Sequence, residues 1–229
     1  MTGLLAAMAV FLALHLLVSG TRARDAITGT IGQGPYMGLF SLASIAGLTW
    51  LIFAFGAARQ SPDNPVFWTV TPTTRNPVVG LVLIAFTFIV PGLLTNSPTR
   101  VMGDSVVGQP NAVSGMTRIT RHPFLWGVAV WAAAHLIANG AAADLILFGG
   151  LLILSVAGTY SIDAKRMRAV GQPYAAFVAQ TSNIPFAAIV QGRQSLKIGE
   201  IWWRVLVAIL VWALVLWGHQ KMFGVSPLG

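Results

Sequence analysis

The chain has 229 residues, 55% of them apolar and only 9% charged, and its mean hydropathy is +0.74. A soluble domain carries about 25% charged residues, so a globule facing water on all sides is excluded. No cysteine is present, which excludes disulfides, thiolate ligands and a cysteine nucleophile; the net charge of +8 is read as basic cytoplasmic loops of a membrane protein rather than as a nucleic-acid surface.

A bilayer crossing takes about 20 apolar residues. Six stretches come close to that: 2–19, 36–58, 78–95, 124–138, 145–162 and 203–218. The predicted fold is an all-α polytopic integral membrane bundle of six transmembrane helices, or five if one segment is interfacial. It forms a single domain over 1–229, with cytoplasmic loops at 96–121 and 163–204. The first stretch lacks a basic leader and is read as a retained helix. The fourth is short, but His122 and Pro123 lead into it, and proline suits a first helical turn. Asn139 and Gly140 then read as a left-handed stop, making a tight hairpin with the fifth stretch. Residues 163–180 read as a polar helical run, and 181–194 as a re-entrant or interfacial turn.

Charge sets the orientation. Arg22, Arg24, Arg100, Arg118, Arg121, Lys165, Arg166, Arg168, Arg193, Lys197 and Arg204 fall on one side, and Arg59, Arg75 and Lys221 on the other. The positive-inside rule places the first group in the cytoplasm. Both termini are then periplasmic, in a bacterial inner membrane. No internal repeat is evident, which disfavours an inverted-repeat transporter.

His15 and His135 are the most informative residues. Each lies within an apolar stretch, where an ionisable group is expensive and is by default a functional candidate. His15 is seven residues from Arg22, so about 10 Å deep; His135 is fourteen from Arg121, so about 20 Å deep. A neutral imidazole wants a partner for each ring nitrogen, and a metal is one such partner. Two such residues raise the question of a shared iron. The alternative is a pair of core histidines that hold helices together by hydrogen bonds. Asn139 stands one turn beyond His135, where it can orient the ring. His122 sits at the cytoplasmic boundary and reads as hydrated. Arg118 and Arg121 suit carboxylates or phosphates, lipid headgroups included. Asp163 reads as a structural ion-pair partner for Arg121, and His219 as an interfacial residue.

Several strings resemble the NnrU family of membrane proteins, which includes 15-cis-zeta-carotene isomerases. They are His15-Leu16, the run from Gly34 to Ser44, Arg118-Ile-Thr-Arg-His-Pro123, Trp131-Ala-Ala-Ala-His-Leu136, Asn139-Gly140, Thr181-Ser-Asn-Ile-Pro-Phe-Ala-Ala188 and Gly192-Arg-Gln194. The resemblance implies a haem b between helices, with His15 and His135 as its metal ligands, and an isomerase acting on a hydrophobic polyene. It leaves Arg118, Arg121, His122 and Asn139, with Arg22 beside them, as candidates around the cofactor. In the isomerase branch a cysteine stands one turn before the second histidine; Ala132 stands there in this chain. Another branch is linked to nitrite and nitric oxide metabolism in denitrifying bacteria.

A second resemblance competes. Arg121-His122-Pro123, Gly127, Gly171-Gln-Pro-Tyr174 and Pro185 are similar to membrane methyltransferases acting on isoprenylcysteine or phospholipid, in which the Arg-His-Pro string helps bind S-adenosylmethionine. A third reading, from another class, is a non-enzymatic assembly factor for a respiratory reductase. The expected partners are membrane lipid and a hydrophobic small molecule, not nucleic acid.

Overall fold

The computed structural model describes residues 1–100 and 103–229. Every one of the six apolar stretches is helical. In chain order the helices are α1 (Thr2–Leu12), α2 (Arg22–Ile31), α3 (Gln33–Arg59), α4 (Pro72–Leu94), α5 (Pro123–Ala138), α6 (Ala142–Val170), α7 (Gln172–Gln180), α8 (Ala187–Val190) and α9 (Ile198–Phe223). Four of them, α3, α4, α6 and α9, are long and apolar enough to cross a membrane. α1 continues through Ala13–Val18 as a π-helical turn and then meets α2 at a bend of 74°, so this pair is a fifth candidate. α5 has 16 residues, about 24 Å of helix against the roughly 30 Å of a hydrocarbon core. The count of six crossings therefore rests on a helix that is short for the task.

Local chemistry explains the boundaries. Thr71 and Thr74 form a reciprocal cap ahead of Pro72 in α4. Pro123 opens α5 where no N–H is needed. α6 does not end at 162; it continues as a polar extension to Val170 and stops at Gly171, whose φ of 69° suits glycine. The polar run expected at 163–180 is thus two helices, one of them the tail of α6.

Asn139 and Gly140 correct another expectation. They take no left-handed turn. Asn139–Ala141 forms β2, paired antiparallel with β1 (Val66–Thr69) in a two-stranded sheet, Val66 opposite Ala141 and Thr69 opposite Asn139. Gly140 is required there because the Trp68 carbonyl and indole occupy the place of a Cβ. The α5–α6 hairpin itself forms as expected, closed by this strand instead of a helix cap.

Close packing uses small residues where helices cross, as membrane bundles do. A Cβ on Gly127 of α5 would lie 2.7 Å from the Ile89 nitrogen and 2.9 Å from the Ala85 carbonyl of α4. A core of Leu4, Ala7, Met8, Phe11, Leu51, Ala58 and Ala143 joins α1, α3 and α6. Elsewhere α3 and α9 expose large apolar side chains, Phe53 and Trp217 at about three quarters of their area, which is the pattern of a lipid-facing surface.

Candidate functional site

Two regions carry the chemistry. One is the pair of imidazoles among apolar helices; the other is a polar network at the basic end of the bundle.

His15 lies in the π-helical turn, a feature frequent at functional sites. Its Nδ1 is 2.8 Å from the Phe11 carbonyl, and its ring packs on Phe11 and Phe40. His135 repeats the arrangement in α5. Its Nδ1 is 2.8 Å from the Trp131 carbonyl, and its ring packs on Trp131 and Phe148. A carbonyl only accepts, so each Nδ1 carries the proton and each Nε2 keeps its lone pair. Among the described residues neither Nε2 has a hydrogen-bond partner. This is the tautomer in which histidines bind metals, with the second nitrogen oriented by a backbone carbonyl. Asn139 takes no part in orienting the ring: its amide donates to the His135 main-chain carbonyl at 2.9 Å.

α6 is a common ruler for the depths of the two rings. Met8 fills the space beside Gly150 and Gly20 packs on Ser161, so α1 runs parallel to α6 and His15 stands near the level of residue 156. His122 meets Asp163, Leu125 meets Gly158, and His135 meets Phe148, so α5 runs antiparallel to α6. The two backbone positions differ by about eight residues of α6, or about 12 Å. Side chains on a helix lean toward its N-terminus. Both rings follow this rule, since each bonds a carbonyl four residues earlier. Because α1 and α5 are antiparallel, these leanings bring the levels of the two rings closer along the bundle axis. As a donor type, two imidazoles with Nδ1 tied to the backbone, in an aromatic, cysteine-free setting, suit a haem iron.

The polar network centres on Asp163. Its carboxylate accepts from Arg121 Nε at 2.8 Å and Nη2 at 2.6 Å, from His122 Nε2 at 2.8 Å and from the Tyr174 hydroxyl at 2.6 Å. The expected Arg121–Asp163 pair is present. His122, expected to be hydrated, is only 2% exposed. Burial pushes its imidazole below the ordinary value, against the opposing pull of Asp163, so it is neutral near pH 7. Burial and the adjacent carboxylate push the Tyr174 phenol up, so it donates.

Arg118 is likewise engaged. Its Nε lies 2.9 Å from Glu200 Oε2, its Nη2 3.2 Å from Oε1, and its Nη1 2.8 Å from Gln194. Sequence reasoning missed Glu200, although it is the one acid opening the last apolar helix. It also missed the docking of 181–186. Ser182 and Asn183 bond back to the Arg118–Arg121 segment, and Asn183 bridges Trp126 of α5 at 3.1 Å and Thr159 of α6 at 2.9 Å. The two arginines are thus neutralised internally, and the Arg-His-Pro string clamps α5, α6 and α7 together. His219, on the opposite end, bonds the Val225 carbonyl. Among the described residues no group of three or more His, Cys, Asp or Glu is arranged to hold a metal.

The architecture defines a helical membrane protein with two imidazoles set among apolar helices and a charged clamp at one end. Residues 3–227 match the NnrU protein family, and the chain belongs to that family. It is similar to the chloroplastic 15-cis-zeta-carotene isomerase of Arabidopsis thaliana, 29% identical over 180 residues, 76% of this chain and 47% of that protein. It is also similar to the chloroplastic 15-cis-zeta-carotene isomerase of Zea mays, 34% identical over 83 residues, 36% of this chain and 23% of that protein. The chain thus spans about half the length, or less, of the curated relatives it matches. No solved structure matches it.

Proposed function

We propose that the protein is an integral membrane haem b protein that isomerises a cis double bond in a hydrophobic, carotene-like polyene, with His15 and His135 as the iron ligands. One observation carries this reading: both intramembrane imidazoles tie Nδ1 to their own helix and leave a lone pair at Nε2. The relatives named as 15-cis-zeta-carotene isomerases support the substrate class.

The chain's own groups have separable tasks. The Phe11 and Trp131 carbonyls fix the tautomer. Phe40 meets the His15 ring edge-on and Phe148 packs tilted on the His135 ring, giving both imidazoles an apolar aromatic wall. The apolar faces of the surrounding helices admit a long hydrocarbon from the bilayer. His15 and His135 would hold a haem there, and the haem would supply the electronic chemistry for isomerising the double bond. With Ala132 one turn before His135, no thiolate can replace the imidazole. Asn139 braces the main chain at His135. Arg118, Arg121 and His122 support the site from the basic end by holding the helices in register. With the basic end in the cytoplasm, both termini lie across the membrane from it. A redox or nitric-oxide-linked role would use the same two ligands. The methyltransferase reading gains nothing from the geometry, because Arg121 and His122 are spent on Asp163.

The test is absorption spectroscopy of the protein purified with haem supplied. A Soret band with sharp reduced α and β bands is expected. His15→Ala or His135→Ala should lose the haem, and His219→Ala should keep it. Equal retention in all three overturns the ligand assignment. Incubation with a 15-cis polyene should yield the trans product only in haem-loaded protein; haem retention without turnover would overturn the isomerase half.

A further inference from the structure

The elbow between α1 and α2 carries positive charge that its own carboxylate does not balance. α2 leaves α1 at 74°, so it lies across the end of the bundle rather than continuing through it. Ile27 and Ile31 remain exposed on it. Asp25 is shared between two guanidiniums, Arg24 Nη1 at 3.4 Å and Arg168 Nε at 3.2 Å. Lys165, one turn before Arg168 on α6 and half buried, has no hydrogen bond or ion pair among the described residues. One carboxylate therefore stands among three cations and pairs with two of them. The contrast is with Arg118 and Arg121, each held by a carboxylate through two of its guanidinium nitrogens.

A second, independent observation lies beside Arg24. The Tyr36 ring sits under its guanidinium, 5.6 Å to the centroid. Tyr36 is only 4% exposed, and its hydroxyl is buried without a hydrogen-bond partner. A buried orphan hydroxyl is costly unless something fills its bond. An unpaired ammonium, a guanidinium with spare donors and an orphan phenol form a donor set for oxyanions.

We propose that Arg24, Lys165 and Tyr36 bind the phosphate of an anionic phospholipid at this elbow. The elbow stands at the level where an apolar helix ends and basic residues begin, which is the level of lipid phosphates. The isoleucines of α2 and the exposed Leu17 offer apolar surface to the acyl chains. Free phosphate shares the headgroup chemistry but gains nothing from that surface. The site is independent of the haem reading, since none of its residues is an iron ligand in it.

The experiment measures binding to the full chain purified in a neutral detergent, by thermal shift and native mass spectrometry. The probes are dioctanoyl phosphatidylglycerol, dioctanoyl phosphatidylcholine and inorganic phosphate. Saturable stabilisation by phosphatidylglycerol alone is expected. The double variant Arg24→Gln, Lys165→Gln should bind it about 30-fold more weakly. Lys221→Gln, at the opposite end, should bind it as the wild type does. Should the double variant fail to fold, Tyr36→Phe decides, because it removes one oxygen; about fivefold weaker binding is expected. Equal stabilisation by phosphatidylcholine overturns the proposal. So does full stabilisation by inorganic phosphate, or unchanged phosphatidylglycerol binding by Tyr36→Phe.

Discussion

Replacing Asp163 with alanine should be the most damaging single change at the basic end. The carboxylate serves Arg121, His122 and Tyr174, with bonds of 2.6 to 2.8 Å. His122 and Tyr174 are 2% and 0% exposed, so water cannot take over. Removing one side of a buried charged pair costs about 3–5 kcal/mol, because the other partner stays buried and unmatched. For a chain of this size each kcal/mol moves the midpoint by about 2–4 °C, so a fall of about 10 °C is expected. Tyr174→Phe removes one bond to a charged acceptor and leaves no orphan on the ring, at a cost of about 1.5–3 kcal/mol. Its midpoint should fall by roughly half as much as that of Asp163→Ala. Tryptophan fluorescence during heating in detergent measures both. A shift within about 2 °C for Asp163→Ala would refute the view that this network clamps α5, α6 and α7. Equal damage from Tyr174→Phe would relocate the cost to packing.

His122 has a pH signature. Its folded-state value lies below the ordinary 6.5, so the unfolded chain binds more protons in the window just below that pH. Its contribution to stability is full above 6.5 and is lost as pH falls toward the folded value; midpoints measured from pH 7.5 to pH 5 should fall, and fall less in His122→Gln. Gly127→Ala should destabilise by about 1–3 kcal/mol, since the new methyl meets the α4 backbone and not a flexible side chain; a neutral thermal shift would count against the crossing. Glu200→Gln removes the charge facing Arg118, and with the pair part-exposed the loss should be about 1 kcal/mol or less. Phe148→Ala opens space against the His135 ring, so haem supplied to the purified protein should dissociate faster without a change in ligand count; unchanged dissociation would remove Phe148 from the site.

Much of this protein was legible in the chain. Long apolar runs bounded by proline, glycine and basic residues dictate helices, because a backbone in lipid must satisfy its own hydrogen bonds. The Arg121–Asp163 pair was also legible, from a basic loop facing the one acid after the fifth apolar stretch. What sequence could not reveal depends on partners far apart in the chain. Trp68 occupies the space at Gly140 and turns a presumed helix stop into a strand. Asp163 and Tyr174 bury His122, which by position alone belongs in water. At the 74° elbow Thr21 caps α2 locally, but the seating of Gly20 on Ser161 of α6 is a contact between residues far apart in the chain. Sequence thus determined which segments form apolar helices and which polar groups go with them, through the cost of unsatisfied groups in hydrocarbon. Only the tertiary structure decided which aromatic rings pack on each imidazole from other helices and which arginines are already neutralised, because such partnerships arise where helices distant in the chain meet.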